Sequence, residues 1–176
     1  MKYATIDAQG NPTGFYDDEI HQTIPQGAVP IPDADWQAHI NGQRKVYDST
    51  NKAWIDYVPS AAELLKEAKA AKLSELKAAY DAAISADIAY MNTAFQADPA
   101  SQDMITKVLA ASGGTLPAGF FWLDAGNNQV PMTYADLQGL ANAILLRGQQ
   151  EFAHYQSLKA QVKAAADVPT VQAIVW

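Results

Sequence analysis

The chain contains no cysteine among its 176 residues, which excludes a disulfide scaffold and a thiolate metal site. Positive charge is scarce. Twelve Lys and Arg stand against 19 Asp and Glu, for a formal charge of −7. A duplex binder needs a basic face to displace counterions. The one basic concentration, residues 66–77, is interleaved with Glu67 and Glu75 and preceded by Glu63, so nucleic acid is not an expected partner. No window approaches about 18 consecutive apolar residues, and no membrane span is expected. The run from Met1 to Asp7 is too short and too broken for a signal peptide. The expectation is a soluble protein made in the cytoplasm.

Motifs for chemistry are equally sparse. There is no G-x-S-x-G, no phosphate-binding G-x-x-x-x-G-K and no G-x-G-x-x-G. The three histidines, His21, His39 and His154, have neither the spacing nor the neighbouring glutamate of a helical zinc site. Asp17-Asp18-Glu19 beside His21 lacks the alternating ligands and turn glycine of a calcium loop and reads as a solvated turn or an edge for a basic partner. Asp124–Asn128 starts like a calcium loop but has no closing glutamate, so a hairpin turn is expected. A hydrolase needs two carboxylates across a cleft, and the sequence gives no sign of one. No catalytic residue, cofactor or metal is expected, and the chain does not read as an enzyme.

What is present divides near Pro59. Five of the nine prolines, Pro12, Pro25, Pro30, Pro32 and Pro59, lie at or before that point, with Tyr3, Phe15, Tyr16, Trp36, Tyr47, Trp54 and Tyr57. Residues 1–59 therefore read as a small strand- and turn-rich module. Tyr3–Ile6 with Gly14–Tyr16, and Val46–Tyr47 with Ala53–Tyr57, are hairpin candidates. Ile24–Pro32 should be extended. Asp33–Ile40 reads as a short helix, capped by Asp33 and ended by Asn41-Gly42. A core this small is marginal without outside support.

Residues 60–176 are rich in alanine, which buries little area. Ser60 and Glu63 have capping-box spacing. The helix they open is expected to run to about Gln96 on a ladder of Leu65, Leu73, Leu76, Tyr80, Ile84, Met91 and Phe95. Asp98-Pro99 should break it, with Ser101 capping a shorter helix. A β-hairpin is expected at about 120–132. Thr133 with Asp136 should then start a second long helix on Tyr134, Leu137, Leu140, Ala141, Ile144, Leu145, Phe152, Tyr155, Leu158 and Val162, and a last short helix should follow Pro169. The expected fold is α+β: the small module, then an elongated antiparallel helical hairpin of coiled-coil character, capped by a short helix and a β-hairpin.

Tryptophan and tyrosine concentrate at interface hot spots. Trp36, Trp54 and Trp122 sit in elements too small to bury three indoles deeply. Each is a candidate contact or the anchor of its own small cluster.

One segment has an order that neither helix nor strand periodicity explains. It runs Gly14-Phe15-Tyr16-Asp17-Asp18-Glu19-Ile20-His21, then Ile24-Pro25, Ile31-Pro32-Asp33, Trp36-Gln37 and Asn41-Gly42-Gln43. In this it resembles the N-terminal module of phage tail-fibre assembly proteins, over about a third of the chain. The second part, through Phe121-Trp122, Asn127, Val130, Thr133, Leu137, Leu140 and Arg147, resembles a helical C-terminal domain of uncharacterised function found in phage tail-fibre proteins and their accessory proteins. The resemblance implies a fibre-assembly chaperone that binds the C-terminal end of the trimeric fibre, promotes its folding and trimerisation, and acts in the host bacterial cytoplasm or stays on the virion tail fibre. Trimer strands that pair across chains expose edges while they wait, and strand addition with aromatic anchors is a way to cover them. The candidate contacts are Phe15, Tyr16, Ile20, Trp36 and Trp54. A homo-oligomer through the helical domain is also compatible with the sequence. The rival reading is a fibre-tip component that attaches to host surface glycan, with Trp54 and Trp122 stacking on sugar rings.

Overall fold

The computed structural model describes residues 1–176. The fold is α+β. The chain divides into two compact units, Met1–Ser60 and Ala61–Trp176.

The first unit is built on a three-stranded antiparallel sheet. Strand β1 (Lys2–Ile6) is central, between β2 (Pro12–Asp17) and the two-residue β3 (Val29–Pro30). The β1–β2 turn is closed by Asp7, whose carboxylate accepts the amide N–H groups of Gln9 and Asn11 and the Asn11 side chain. Within Ile24–Pro32, a turn is closed by Ala28 N–H donating to Pro25 O, with Gly27 at φ +85°, and Val29–Pro30 is the strand part. Helix α1 (Asp33–Ile40) follows. It ends as expected at Asn41-Gly42. Gly42 has φ +87°, and Gln43 N–H reaches Ala38 O while Gly42 N–H reaches His39 O, the two bonds of a Schellman motif. Its start departs from expectation. Pro32 occupies the cap position with no side-chain bond, because the Asp33 carboxylate is drawn to Lys2 Nζ at 2.6 Å.

Strands β4 (Lys45–Asp48) and β5 (Ala53–Asp56) form a separate ribbon with Tyr47 opposite Trp54. The ribbon is tied to the first sheet through Gly10. Tyr47 N–H donates to Gly10 O, and a Cβ on Gly10 would stand 2.2 Å from the Tyr47 carbonyl oxygen. Ala4 and Ile31 are the buried apolar side chains of this unit, a thin core for its length.

The second unit is a helical hairpin with a cap. Helix α2 (Ala61–Ser85) and helix α4 (Tyr134–Ala164) run antiparallel. Lys69 meets Lys163 near one end, Tyr80 stacks on Tyr155, and Arg147 meets the last turn of α2. Leu76, Leu158, Val162 and Ile174 form the core of this stem, with Ile174 following the short helix α5 (Val168–Gln172).

The expected continuation of α2 to Gln96 is corrected. The helix stops at Ser85, and Ile88–Tyr90 (β6) and Thr93–Phe95 (β7) form a tight hairpin. Met91 and Asn92 both have positive φ, +51° and +62°, as a two-residue type I′ turn requires. The apolar spacing of Ile84, Met91 and Phe95 imitates a helical stripe, yet Phe95 reaches the core from a strand and Met91 is exposed.

Helix α3 (Pro99–Ala111) is capped by Asp98, whose carboxylate accepts Ala100 and Ser101 N–H. Ser101 is not the cap. Proline is tolerated in a first helical turn, so Asp98-Pro99 opens this helix as well as separating it from the hairpin. Strands β8 (Phe121–Leu123) and β9 (Gln129–Pro131) form the second hairpin. Ala125 N–H donates to Ala94 O, joining its turn to β7. Thr133 and Asp136 make the expected reciprocal capping box of α4. The cap core is Phe95, Ala97, Ile105, Met132, Leu137, Leu140 and Ile144. Three members of the expected α4 ladder, Tyr134, Leu145 and Phe152, fall outside both cores, and Leu145 and Phe152 are 58% and 52% exposed.

Candidate functional site

The acidic residues are largely committed to local structure. Asp7, Asp48 and Asp124 each close a turn by accepting from an asparagine three or four residues on. Asp98, Asp136 and Asp167 cap α3, α4 and α5. These bonds hold all six carboxyls below their ordinary range. The main cause is the asparagine side chain for Asp7 and Asp48, the Asn128 backbone N–H for Asp124, and the Ser101, Thr133 and Thr170 side chains for Asp98, Asp136 and Asp167. Asp17–Glu19 is likewise a turn. Ile20 and His21 N–H donate to Asp17 O, and the chain's α-ammonium group pairs with Asp18. No group of three His, Asp or Glu side chains is placed to hold a metal ion. No helix is long and apolar enough to cross a membrane.

The first unit has a cleft of ≈ 920 Å³ between the β3–α1 segment and the β4–β5 ribbon. Trp54, Tyr47, Pro30 and Pro32 give it an apolar wall, and Lys2, Lys52, Asp33 and Asp35 line it with charge. Trp54 is fixed there by its indole N–H, which donates to Pro30 O at 2.9 Å, and by an edge contact with Tyr47 at 5.5 Å. Lys2 holds the cleft to α1. Its ammonium pairs with Asp33 and lies 4.4 Å from the Trp36 ring centroid. Asp33 raises the Lys2 pKa, and Lys2 lowers that of Asp33. Lys45 bridges Asp56 at 3.0 Å and Asp35 at 3.3 Å, bracing the ribbon against α1. Its pKa is raised, first by Asp56 and then by Asp35.

The five candidate contacts separate in space. Trp54 lines the cleft, and Trp36 adjoins it beneath Lys2. Ile20 projects into solvent, 77% exposed. Phe15 packs on His39 at 4.8 Å, and Tyr16 packs on His21 at 5.4 Å. Successive strand residues point to opposite faces, so Phe15 and Tyr16 do not form one surface. Lys2, Tyr47, Pro30 and Pro32 were not singled out from the sequence. The Ile31-Pro32-Asp33 run was a signal for Pro32, whereas Lys2 is brought beside it only by the pairing of β1 with β3.

In the second unit the residues that carry the resemblance, apart from the exposed Phe121, have structural tasks. Trp122 pairs with Val130 across β8–β9, and both pack on the cap core. Asn127 takes the positive φ of the hairpin turn, Thr133 caps α4, and Leu137 and Leu140 are fully buried. Arg147 ends α2. Its guanidinium donates to the carbonyls of Ala86 at 2.5 Å, Ile84 at 2.8 Å and Asp87 at 3.3 Å. A cation at a helix C-terminus satisfies orphan carbonyls and complements the helix dipole. Trp122 is thus a packing residue, with Phe121 and Leu123 exposed on either side of it.

No curated protein and no solved structure matches the chain. Residues 67–175 match one family model. The match covers more than half of the chain and takes in the Arg147 cap, the Thr133–Asp136 box and both hairpins of the second unit. The protein belongs to the family described as "Domain of unknown function (DUF4376)".

Proposed function

We propose that the protein is a tail-fibre assembly chaperone whose first unit binds an extended segment at the C-terminal end of a phage tail-fibre protein. The observation that carries this reading is the Trp54 cleft. The Ile31-Pro32-Asp33 part of the fibre-assembly-like segment lines it, and Trp36 adjoins it through Lys2. An apolar side chain of the client rests on Trp54 and Tyr47, and its polar groups meet Lys2, Lys52 and Asp35. A central aromatic anchor ringed by polar groups is the usual anatomy of a protein-binding hot spot. The thin core of the unit, centred on Ala4 and Ile31, agrees with a module that gains stability from what it binds.

In this reading the protein is not an enzyme, uses no cofactor, and acts in the host cytoplasm during virion assembly. Co-expression with the fibre tests it. Trp54→Ala is expected to reduce recovery of soluble fibre, and Trp54→Phe to retain part of it. Undiminished recovery with Trp54→Ala sinks the assignment of the cleft.

One observation favours a second reading. An indole flanked by the carboxylates of Asp33 and Asp35 is also suited to a sugar ring, as a fibre-tip component that attaches to host glycan needs. Trp122 does not share in that role, because it packs on the cap core. Binding of the purified protein to host cells without fibre supports the glycan reading, and its absence supports the chaperone.

A further inference from the structure

The charged groups that border the Trp54 cleft are not equally free. Lys2 pairs with Asp33 at 2.6 Å and lies over the Trp36 ring. Asp35 is met by Lys45 at 3.3 Å. The α-ammonium group of Met1, also at the cleft, pairs with Asp18. Lys52 stands apart. It is exposed, it lines the cleft, and it belongs to none of the ion pairs of this unit. The cleft therefore offers a ligand one cation that no side chain of the unit neutralises.

Its own hairpin has a carboxylate at hand and does not use it for this purpose. Asp48, four residues earlier, accepts from the N–H groups of Thr50 and Asn51 and from the Asn51 side chain. Asp56, four residues later, is taken by Lys45 at 3.0 Å. The turn is thus fixed by bonds that leave the Lys52 ammonium out.

The backbone gives a second observation. Lys52 has φ +51°, in the left-handed region that disfavours a residue with a Cβ and suits glycine or asparagine. The other positive-φ positions of this unit are the glycines Gly10, Gly27 and Gly42. Turn chemistry alone does not call for lysine here, so its charge is what the position gains.

We propose that Lys52 is the specificity residue of the cleft, and that the bound segment carries a carboxylate close to the apolar side chain that rests on Trp54. The proposal rests on the reading of the cleft as a fibre-binding site and adds the chemistry of what enters it. Lys52 lies two residues before Trp54, about 7 Å along an extended chain at roughly 3.3 Å per residue. In an extended client the carboxylate and the apolar side chain are then about one or two residues apart. The anions of a polypeptide are its Asp and Glu side chains and its terminal carboxylate, and each presents the same acceptor to an ammonium. A neutral segment leaves Lys52 unpaired and a basic one is repelled, which is how a single charge selects among clients.

Titration calorimetry of the full-length protein with a synthetic C-terminal fragment of the fibre tests it. Lys52→Asn removes the charge and accepts the positive φ, so the fold should be kept. It is expected to weaken binding about fivefold, as loss of an exposed ion pair does, and to flatten the dependence of affinity on salt. Lys52→Arg keeps the charge and should bind within about twofold of wild type. Two altered fragments separate the sources of the carboxylate, one amidated at its C-terminus and one with Asp and Glu replaced by Asn and Gln. The fragment that lacks the recognised group should bind wild type as weakly as the native fragment binds Lys52→Asn, and should lose nothing further against that variant. Lys52→Asn within about 1.5-fold of wild type, beside a Trp54→Ala variant that has lost binding, overturns the inference and leaves the cleft reading standing. A Lys52 effect that persists against both altered fragments overturns it as well. If Trp54→Ala binds the fragment as tightly as wild type, the cleft reading itself fails and the inference falls with it.

Discussion

Truncating Arg147 should loosen the second unit even though the residue touches neither apolar core. The perturbation is Arg147→Ala. It removes three hydrogen bonds from the end of α2, to Ile84 O, Ala86 O and Asp87 O. A hydrogen bond from a charged donor contributes about 1.5–3 kcal/mol when shielded from water. The bond to Ile84 O is partly buried, so it takes a value in that range. The other two are exposed, and water replaces them at a loss of about 0.5 kcal/mol each. Loss of the cation at the helix C-terminus adds about 0.5 kcal/mol. The sum is about 3–4.5 kcal/mol, equivalent to a fall on the order of 10–15 °C in the thermal midpoint of a unit this size. Far-ultraviolet circular dichroism is the suitable assay, since every helix except α1 lies in the second unit. Arg147→Lys keeps the charge but not the planar fork and should fall between the two. A midpoint within about 3 °C of wild type for Arg147→Ala would refute the reasoning, because the α2 terminus would then be held by something else.

Other outcomes follow from the same contacts. The same substitution at two glycines of α4 should have opposite signs. Gly139→Ala forces the Tyr90 ring aside and should cost about 1–2 kcal/mol net of helix propensity, whereas Gly148→Ala should stabilise the second unit by up to about 1 kcal/mol; denaturant titration measures both. Met91→Asn should raise stability by about 0.5–1 kcal/mol, because asparagine accepts the positive φ of the β6–β7 turn more readily than methionine. The capping carboxylates Asp98, Asp136 and Asp167 have folded pKa values below the unfolded 3.8. Their contribution is complete above that value and is lost as pH falls through the lower folded values. Helix content should hold from pH 7 to about pH 4 and decline below it in an acid titration followed at 222 nm.

Much of this fold was legible where the signal is local. The Thr133–Asp136 box, the Asn41-Gly42 helix end and the Gly/Asn turn of β8–β9 depend on residues within a few positions of one another, and the structure has all three. The β6–β7 hairpin was not legible. Its turn is Met91-Asn92 with no glycine, its apolar spacing continues that of α2, and the side chain that ends α2, Arg147, lies about sixty residues away in sequence. Long-range partners also misled at the start of α1, where Lys2 takes the carboxylate expected to cap the helix. The α4 ladder was too wide. At 100° per residue Leu145 points well away from Ile144, and only Ile144 reaches the core. At the candidate site, Trp54 was legible as an aromatic in a short strand. That it shares a cleft with Lys2, Pro30 and Pro32 depends on how β1, β3 and β5 assemble, which periodicity does not encode.

The central claim, that the Trp54 cleft holds an extended segment of the fibre, is tested most directly by hydrogen exchange on the full-length protein with and without the fibre's C-terminal fragment. The account predicts slowed exchange at the amides of Val29, Ile31, Asp33 and Ala53–Ile55 when the fragment is added, abolished by Trp54→Ala. Protection confined to residues 61–176, or none in the presence of a complex that sizes as intact, would contradict it.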